Sequence, residues 1–545
     1  MLSLLYSSVP VLGALLSGVA AQEGTYAPFA ATCPSTSLVR PADGLSESEE
    51  AYRVARKAIA DVALSEWLQT TNLDFGSASL PTVALTTSGG GYRSLLSGAG
   101  VIQGLDNRDS SVSTSGLFQA LTYHAGLSGG SWLLSSLAGN NYPTVSYLQE
   151  NLWNEAFRDS LLDPEFLLAA AAYFEVVNDV TDKELAGYDT TLVDPWGRLL
   201  SYQLLQGANG GVGTTLSSIA TLSNFTSHAV PIPIITALGV KTWLGECLPG
   251  PNATQYEFSP FEMGSWDDDI SAFTSTKYLG TNLDNGTPTG DNCTENYDNL
   301  GYVLGTSSAL FNNFCLAVPA PSNSTTSIYS TITQILDYVH DITFSDEFAT
   351  YANPFYNYNS PTSTPNGANN VSAQLSLSLV DGGEALQNNP IFPFLQPARH
   401  VDVIIVNDNS ADTADNWPNG TEILTTYVQA LSQNLTRMPF IPSVDTFLAD
   451  RLNQRATFFG CNDTAQATII YIPNYNFTYA SNVATAKLAY AEDETAGMIA
   501  NGVQLITQGN DATWNQCLAC GIMMKTGDAL PTECTACLEE YCYFP

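Results

Sequence analysis

Residues 121–132, LTYHAGLSGGSW, decide the fold of this 545-residue chain. The apolar run 121–125 predicts a buried strand, and the stretch 132–137 after the turn predicts a helix. Between them lies the pattern Gly126-x-Ser128-x-Gly130, whose glycines let strand and helix approach closely around a strained serine. The stretch therefore predicts a strand-turn-helix unit that presents Ser128 as a nucleophile.

Four further short apolar runs resemble 121–125 and are bounded by turn residues. They lie at 82–86, 375–380, 401–406 and 467–472. Strands alternating with helical stretches predict the α/β class, with active groups at the strand ends. No repeat or long linker divides the chain, so we expect one catalytic domain over residues 22–545. Within it we expect a cap-like insertion at about 140–360 and a cysteine-rich tail at 517–545.

A glycine-rich loop, SGGGYR at residues 88–93, follows the predicted strand 82–86. Successive glycines leave backbone N–H groups uncovered, as an oxyanion hole requires, and Gly90 and Gly91 are the candidate donors. Arg93 would add a cation able to hold a phosphate oxygen with two donors. A nucleotide-phosphate loop is the alternative, but the loop lacks the Lys-Ser/Thr ending of a P-loop and the Rossmann glycine spacing.

Asp381 ends the predicted strand 375–380 and precedes two glycines, which would let its side chain reach a cleft at the sheet edge. The nearby pair Asn389-Pro390 predicts a helix cap followed by proline at the first helical position. A serine hydrolase needs a base, and the chain has four histidines, at 124, 228, 340 and 400. None lies in a distinctive motif. If no histidine serves, Asp381 must accept the Ser128 proton, which a dry site favours by raising its pKa.

Two other readings of these motifs stay open. One is a general secreted lipase or esterase with a Ser-His-Asp triad that uses His124 or His400. The other is a lipid-binding or storage glycoprotein on a hydrolase scaffold.

The leader, sequons and cysteines predict a secreted, extracellular glycoprotein. Residues 2–21 carry no charge and end in small residues, which predicts a signal peptide over 1–21; an uncleaved membrane anchor is the alternative. The last residues, CLEEYCYFP, lack the hydrophobic tail of a GPI-anchor signal. Ten cysteines favour disulfides in an oxidising compartment over a zinc site in the tail. Predicted N-glycan acceptors are Asn224, Asn252, Asn285, Asn292, Asn323, Asn370, Asn419, Asn434, Asn462 and Asn476.

Composition and charge exclude two classes of protein. With 44% hydrophobic residues the chain is not disordered. A formal net charge of −36 excludes nucleic acid as a partner, since the two would repel each other. Contact with phospholipid at this charge requires an acidic medium, zwitterionic headgroups or dispersed lipid monomers.

Three motifs in order, SGGGYRS, GLSGGSW and DGGEALQNNP, together resemble the fungal lysophospholipase/phospholipase B family. Its catalytic domain is related to those of cytosolic group-IV phospholipases and patatin. The resemblance implies a central mixed sheet flanked by helices and a cap-like insertion. The cysteine-rich tail and the Asp-rich run 403–420 also look like this family.

The same resemblance implies a mechanism and its residues. Ser128 and Asp381 would form a catalytic dyad, Gly90 and Gly91 an oxyanion hole, and Arg93 a phosphate contact. The implied reaction is hydrolysis of fatty-acyl esters of phospholipids and lysophospholipids through an acyl-enzyme, with no metal or cofactor. The implied partners are these lipids and, transiently, a membrane or micelle surface. In contrast to some relatives, no calcium-binding lipid-targeting domain and no anchor signal are expected.

Overall fold

A computed structural model describes residues 24–76, 78–158, 167–312, 346–362 and 370–545. The predicted signal peptide, Asn323, Cys315 and His340 lie outside the described residues. The strands are β1 (Phe29–Ala31), β2 (Val39–Pro41), β3 (Val83–Thr87), β4 (Leu121–Leu127), β5 (Ile232–Val240), β6 (Gln255–Phe258), β7 (Glu262–Ser265), β8 (Ala272–Ser275), β9 (Leu283–Asp284), β10 (Thr287–Pro288), β11 (Cys293–Glu295), β12 (Ala349–Ala352), β13 (Ser376–Asp381), β14 (Val403–Asp408), β15 (Thr457–Phe459) and β16 (Thr468–Pro473).

Twelve of these strands form one mixed sheet in the order β15-β16-β14-β3-β4-β5-β6-β7-β8-β2, with β13 also pairing with β5 and β12 with β13. The strands from β16 through β14, β3 and β4 to β5 run parallel. Parallel neighbours bring their carboxyl ends to one edge, where α/β proteins bind their ligands. All five predicted strands are confirmed, each displaced by no more than two residues.

Helices cover the sheet and bury its apolar residues. The α-helices span Glu47–Thr71, Tyr92–Leu105, Gly129–Gly139, Val145–Leu148, Asn154–Arg158, Leu167–Leu185, Val193–Leu204, Ser223–Thr226, Leu300–Thr306, Phe392–Leu395, Thr421–Ser432, Val444–Ala449, Glu492–Ile506, Trp514–Met523 and Cys534–Tyr541. The parallel strands are buried on both faces, which explains their nearly continuous apolar sequences.

Two helices next to the glycine-rich loop approach each other unusually closely. In Tyr92–Leu105, a Cβ added at Gly100 would lie 2.0 Å from the carbonyl oxygen of Ile499. In Glu492–Ile506, a Cβ at Gly502 would lie 2.2 Å from the carbonyl oxygen of Ser97. Glycine is required at both contacts, and the close packing fixes the helix that begins where the loop ends.

The segment 140–360, predicted to contain a cap-like insertion, contributes β5 to β8 and β12 to the central sheet. Those strands are therefore integral to the fold. A cap can comprise only the rest of the segment.

Disulfides join Cys33 to Cys293, Cys461 to Cys542, Cys517 to Cys537 and Cys520 to Cys534, and Cys247 is also disulfide-bonded. The tail holds five cysteines, so at least one of them cannot pair within it, and Cys542 pairs with Cys461 outside the tail. Within the described residues, no helix has the length and apolar character needed to cross a bilayer.

Candidate active site

Ser128 lies on the tight turn between β4 and the helix Gly129–Gly139. Its backbone has φ 49° and ψ −121°, a left-handed conformation that is strained for a residue with a side chain. The turn is held by the Ser128 N–H, which donates to Ser307 Oγ at 3.0 Å. A Cβ at Gly130 would lie 2.2 Å from the Thr87 carbonyl oxygen, so the motif glycine is sterically required.

Asp381 reaches Ser128 because two strands share one edge of β5. β4 pairs with the first half of β5, ending with Leu127 opposite Thr236. β13 pairs antiparallel with the second half, ending with Asp381 opposite Ala237. The two strands therefore point at each other, and Ser128 acts on the Asp381 carboxylate as a hydrogen-bond donor that lowers its pKa.

The environment of Asp381 suits a base. The side chain is 4% exposed, and burial raises its pKa to about 6. The hydrogen bonds from Ser128 and from the Gly383 N–H, the latter at 2.7 Å, lower the pKa in part. At neutral pH the group is a carboxylate of enhanced basicity beside the serine hydroxyl.

The glycine-rich loop lies against the same turn. A Cβ at Gly129 would be 2.6 Å from the Gly91 backbone nitrogen, and a Cβ at Gly89 would be 3.0 Å from Ser128 Cβ. Gly90 and Gly91 have φ of 138° and 58°, which favours glycine at both. Throughout the described part of the chain, their amides donate to no acceptor, whereas the neighbouring amides of Ser88 and Gly89 do. The two free donors beside Ser128 have the arrangement of an oxyanion hole.

Arg93 lies beneath this loop and is 1% exposed. Its Nε donates to the Asn409 carbonyl at 2.8 Å. Its Nη1 donates to the Val483 carbonyl at 2.7 Å and its Nη2 to Thr485 Oγ1 at 3.1 Å. The segment around Val483 and Thr485 covers the guanidinium, so a phosphate could reach Arg93 only if that segment moved.

A mainly apolar pocket opens beside Ser128. Two indoles form part of its wall, and both donate to Ser308 Oγ, Trp132 at 3.0 Å and Trp196 at 3.1 Å. Because both indole N–H groups are already paired with Ser308, the indoles expose mainly their apolar ring atoms to the pocket. The pocket is lined by Gly91, Ser128, Trp132, Trp196, Ser308, Leu310, Phe311, Thr485, Ala486 and Leu488.

The three described histidines are not arranged to act on Ser128. His124 is fully buried in β4, its Nε2 lies 3.0 Å from Thr87 Oγ1, and burial lowers its pKa to about 3. His228 precedes β5 and His400 precedes β14, so both lie towards the amino ends of the parallel strands, opposite Ser128. Ser128 therefore lies beside the Asp381 carboxylate and beside none of these three imidazoles.

The sequence missed Asn388 and misassigned its neighbour. Asn389 does not cap a helix; the next helix, Phe392–Leu395, has Ile391 at its N-cap and no side-chain cap. The Ile391 N–H donates instead to the Asn389 backbone carbonyl, at 2.7 Å. Asn388 exchanges hydrogen bonds with the glycine-rich loop, a long-range contact that leaves no local signal in the sequence.

Comparisons with known proteins identify the family of the chain. A family model described as lysophospholipase catalytic domain matches residues 83–545. The chain is 40% identical to Lysophospholipase 2 of Aspergillus fumigatus, over 95% of this chain and 93% of the relative. It is 37% identical to Lysophospholipase 1 of Saccharomyces cerevisiae, over 98% of this chain and 86% of the relative.

The fold also resembles that of human GIVD cytosolic phospholipase A2. The TM-score is 0.69 at 18% identity, and the match covers 90% of this chain and 69% of the human chain. This likeness confirms the predicted fold. The family model and the two relatives establish that the chain belongs to the lysophospholipase family of carboxylic ester hydrolases.

Proposed function

We propose that the protein is a secreted lysophospholipase/phospholipase B. It hydrolyses fatty-acyl esters of lysophospholipids and phospholipids through a Ser128–Asp381 dyad and an acyl-enzyme. The observation that carries this proposal is that Ser128 and the buried Asp381 meet where β4 and β13 end on β5, beside two unpaired glycine amides. This set contains a nucleophile, a base and an oxyanion site.

In the proposed reaction, Asp381 accepts the hydroxyl proton as Ser128 Oγ attacks the acyl carbonyl carbon. The amides of Gly90 and Gly91 receive the negative charge that develops on the carbonyl oxygen. The tetrahedral intermediate collapses, the C–O bond to glycerol breaks, and protonated Asp381 returns its proton to the departing oxygen. Asp381 then deprotonates a water, which attacks the acyl carbonyl carbon; as the bond to Ser128 Oγ breaks, Asp381 returns the proton to Ser128 and the fatty acid leaves.

The apolar pocket supports a fatty-acyl substrate. Its indole and aliphatic walls surround Ser128, where hydrocarbon burial contributes about 0.8 kcal/mol per CH₂ group. Arg93 remains the proposed contact for the phosphate of the headgroup, which requires that Val483 and Thr485 move aside.

Secretion and glycosylation are also part of the proposal. Disulfides support folding in an oxidising compartment. Exposed sequon asparagines could accept glycans; these are Asn252, Asn285, Asn292, Asn370, Asn434, Asn462 and Asn476. We propose that the mature protein begins at Gln22 and meets its substrates at a membrane or micelle surface.

Covalent labelling combined with product analysis tests the function. A fluorophosphonate should label the wild type at Ser128, and Ser128→Ala should abolish labelling. Ser128→Ala and Asp381→Asn should each lower turnover of lysophosphatidylcholine by about 10³-fold or more, without loss of folding. Full activity in Asp381→Asn would refute the dyad.

The same measurements separate the proposal from the other readings. A storage or binding protein with an inert scaffold would not react with the fluorophosphonate. A histidine-dependent esterase would lose activity when one of the histidines is replaced. Products from a diacyl phospholipid and from its lyso form would define how many acyl chains are removed.

A further inference from the structure

The oxyanion loop, defined here as residues 88–91, is held to the neighbouring strand ends by hydrogen bonds. The Ser88 N–H donates to the Asn407 carbonyl at 3.2 Å, and Ser88 Oγ accepts from the Asn409 N–H at 2.7 Å. These contacts fix the start of the loop against β14. They do not connect it to the turn that carries Asp381.

Asn388 makes that second connection. Its backbone carbonyl accepts from the Gly89 N–H at 3.1 Å, and its side-chain nitrogen donates to the Gly89 carbonyl, also at 3.1 Å. Both polar groups of Gly89 are thus paired with one residue. The next two amides, of Gly90 and Gly91, remain free for a developing oxyanion.

The side chain of Asn388 is wedged between the loop and the Asp381 turn. Its Oδ1 would lie 2.2 Å from a Cβ at Gly89 and 2.7 Å from a Cβ at Gly383. Gly383 is the residue whose N–H donates to the Asp381 carboxylate. Asn388 therefore touches both the loop that would receive the oxyanion and the turn that holds the base.

Further hydrogen bonds hold Asn388 itself in place. Its N–H donates to the Glu422 carboxylate at 2.8 Å, and its side-chain nitrogen also donates to Ser410 Oγ at 2.8 Å. Ser410 Oγ in turn donates to Asp408, which accepts from the Tyr471 hydroxyl at 2.7 Å. This buried network fixes the position of the asparagine through residues that do not line the pocket.

We infer that Asn388 is a positioning residue that sets the distance between the oxyanion loop and the Ser128–Asp381 pair. The inference rests on the proposed function. Asn388 touches no reacting atom; it acts through Gly89 and Gly383. Its loss should let the loop shift, and a misplacement of about 1 Å can cost about 10²-fold in rate.

Asn388→Ala tests this by separating transition-state from ground-state binding. We expect kcat on lysophosphatidylcholine to fall about 10- to 100-fold while KM changes less than about 3-fold. Affinity for an acyl-chain trifluoromethyl ketone, which forms an oxyanion on Ser128, should fall by the same factor as kcat/KM. Affinity for a non-hydrolysable ether lysophospholipid, which has no ester carbonyl, should stay unchanged.

Two further variants keep the test decisive. Asn388→Asp preserves the size of the side chain but sets a carboxylate against the Gly89 carbonyl, so it should show the same pattern even if Asn388→Ala folds poorly. Asn353→Ala is the matched control, because Asn353 is buried and donates to two carbonyls, Val371 at 2.7 Å and Gln374 at 2.8 Å, at the far end of β13. It should lower thermal stability without changing kcat.

The inference would be overturned if Asn388→Ala and Asn388→Asp kept wild-type kcat and ketone affinity. Equal losses of ketone and ether-lipid affinity would overturn it as well, since they would indicate general damage to the pocket. Ser128→Ala, run in parallel, distinguishes the two proposals. If it remains active, the proposed function fails; if it is inactive while both Asn388 variants are fully active, only this inference fails.

Discussion

Leu127 and Asp381 are the last residues of two strands that run towards each other along one edge of β5. They lie opposite consecutive β5 residues, Thr236 and Ala237. Ser128, the residue after Leu127, is therefore brought to the Asp381 carboxylate by the register of the sheet.

The pH dependence of the enzyme should report the ionisation of Asp381. In the proposed reaction its carboxylate must be deprotonated to accept the Ser128 proton, and burial raises its pKa to about 6. We expect kcat/KM on lysophosphatidylcholine to be level above about pH 7 and to fall roughly tenfold per pH unit below pH 6. Tryptophan fluorescence at each pH would check that the fold persists; a flat profile between pH 4.5 and 7 would exclude this carboxylate as the base.

Replacement of His124 should leave catalysis intact. The imidazole is buried and neutral, and its Nε2 is engaged with Thr87. His124→Gln retains a polar group near Thr87, so we expect kcat/KM within about 3-fold of the wild type, measured on lysophosphatidylcholine. A triad that used His124 would instead lose about 10³- to 10⁴-fold. Ser128→Ala serves as the inactive reference.

Arg93 should distinguish phosphate-bearing from neutral substrates. If it contacts the headgroup, Arg93→Ala should lower kcat/KM for a lysophospholipid about 10- to 100-fold more than for a monoacylglycerol of the same chain, since a charged hydrogen bond contributes about 1.5–3 kcal/mol. Equal losses on the two substrates would mean that Arg93 only supports the loop, through its bonds to Asn409, Val483 and Thr485. Arg93→Lys, which keeps the charge, provides a milder comparison.

Asp267 should make the fold more stable in acid than at neutral pH. Burial raises its pKa in the folded protein to about 7, so folding favours the protonated form. The folded state then binds more protons than the unfolded chain between about pH 4 and 7, and stability falls as pH rises through that window. We expect a higher Tm at pH 5 than at pH 7.5, measured by differential scanning calorimetry.

Asp267→Asn should reduce that difference in Tm between the two pH values. Asp268→Asn, at an exposed neighbour, should keep most of it. An unchanged difference in Asp267→Asn would assign the effect to other buried carboxyl groups. The difference in Tm between the two pH values is compared rather than Tm itself, because Asp267→Asn also alters the hydrogen bonds that Asp267 accepts from Gln255 and Gln433.

Local sequence was sufficient to predict the strands, the turn at Ser128 and the glycine-rich loop. Apolar runs define buried strands, and glycine at φ 138° or 58° is a requirement of the residue's own backbone. Such features depend on near neighbours in the chain. The helix cap proposed at Asn389 failed because asparagine before proline fits a turn as well as a cap, and only packing decides between them.

The sequence alone predicted which residues would carry the chemistry: Ser128, the Gly90 and Gly91 amides, and an aspartate at a strand end. Only the tertiary structure decided that β4 and β13 meet on β5, that Asn388 joins the oxyanion loop to the Asp381 turn, and that Arg93 lies beneath Val483 and Thr485. The physical reason is that these contacts join segments far apart in the chain, through sheet register and backbone carbonyls that every residue possesses.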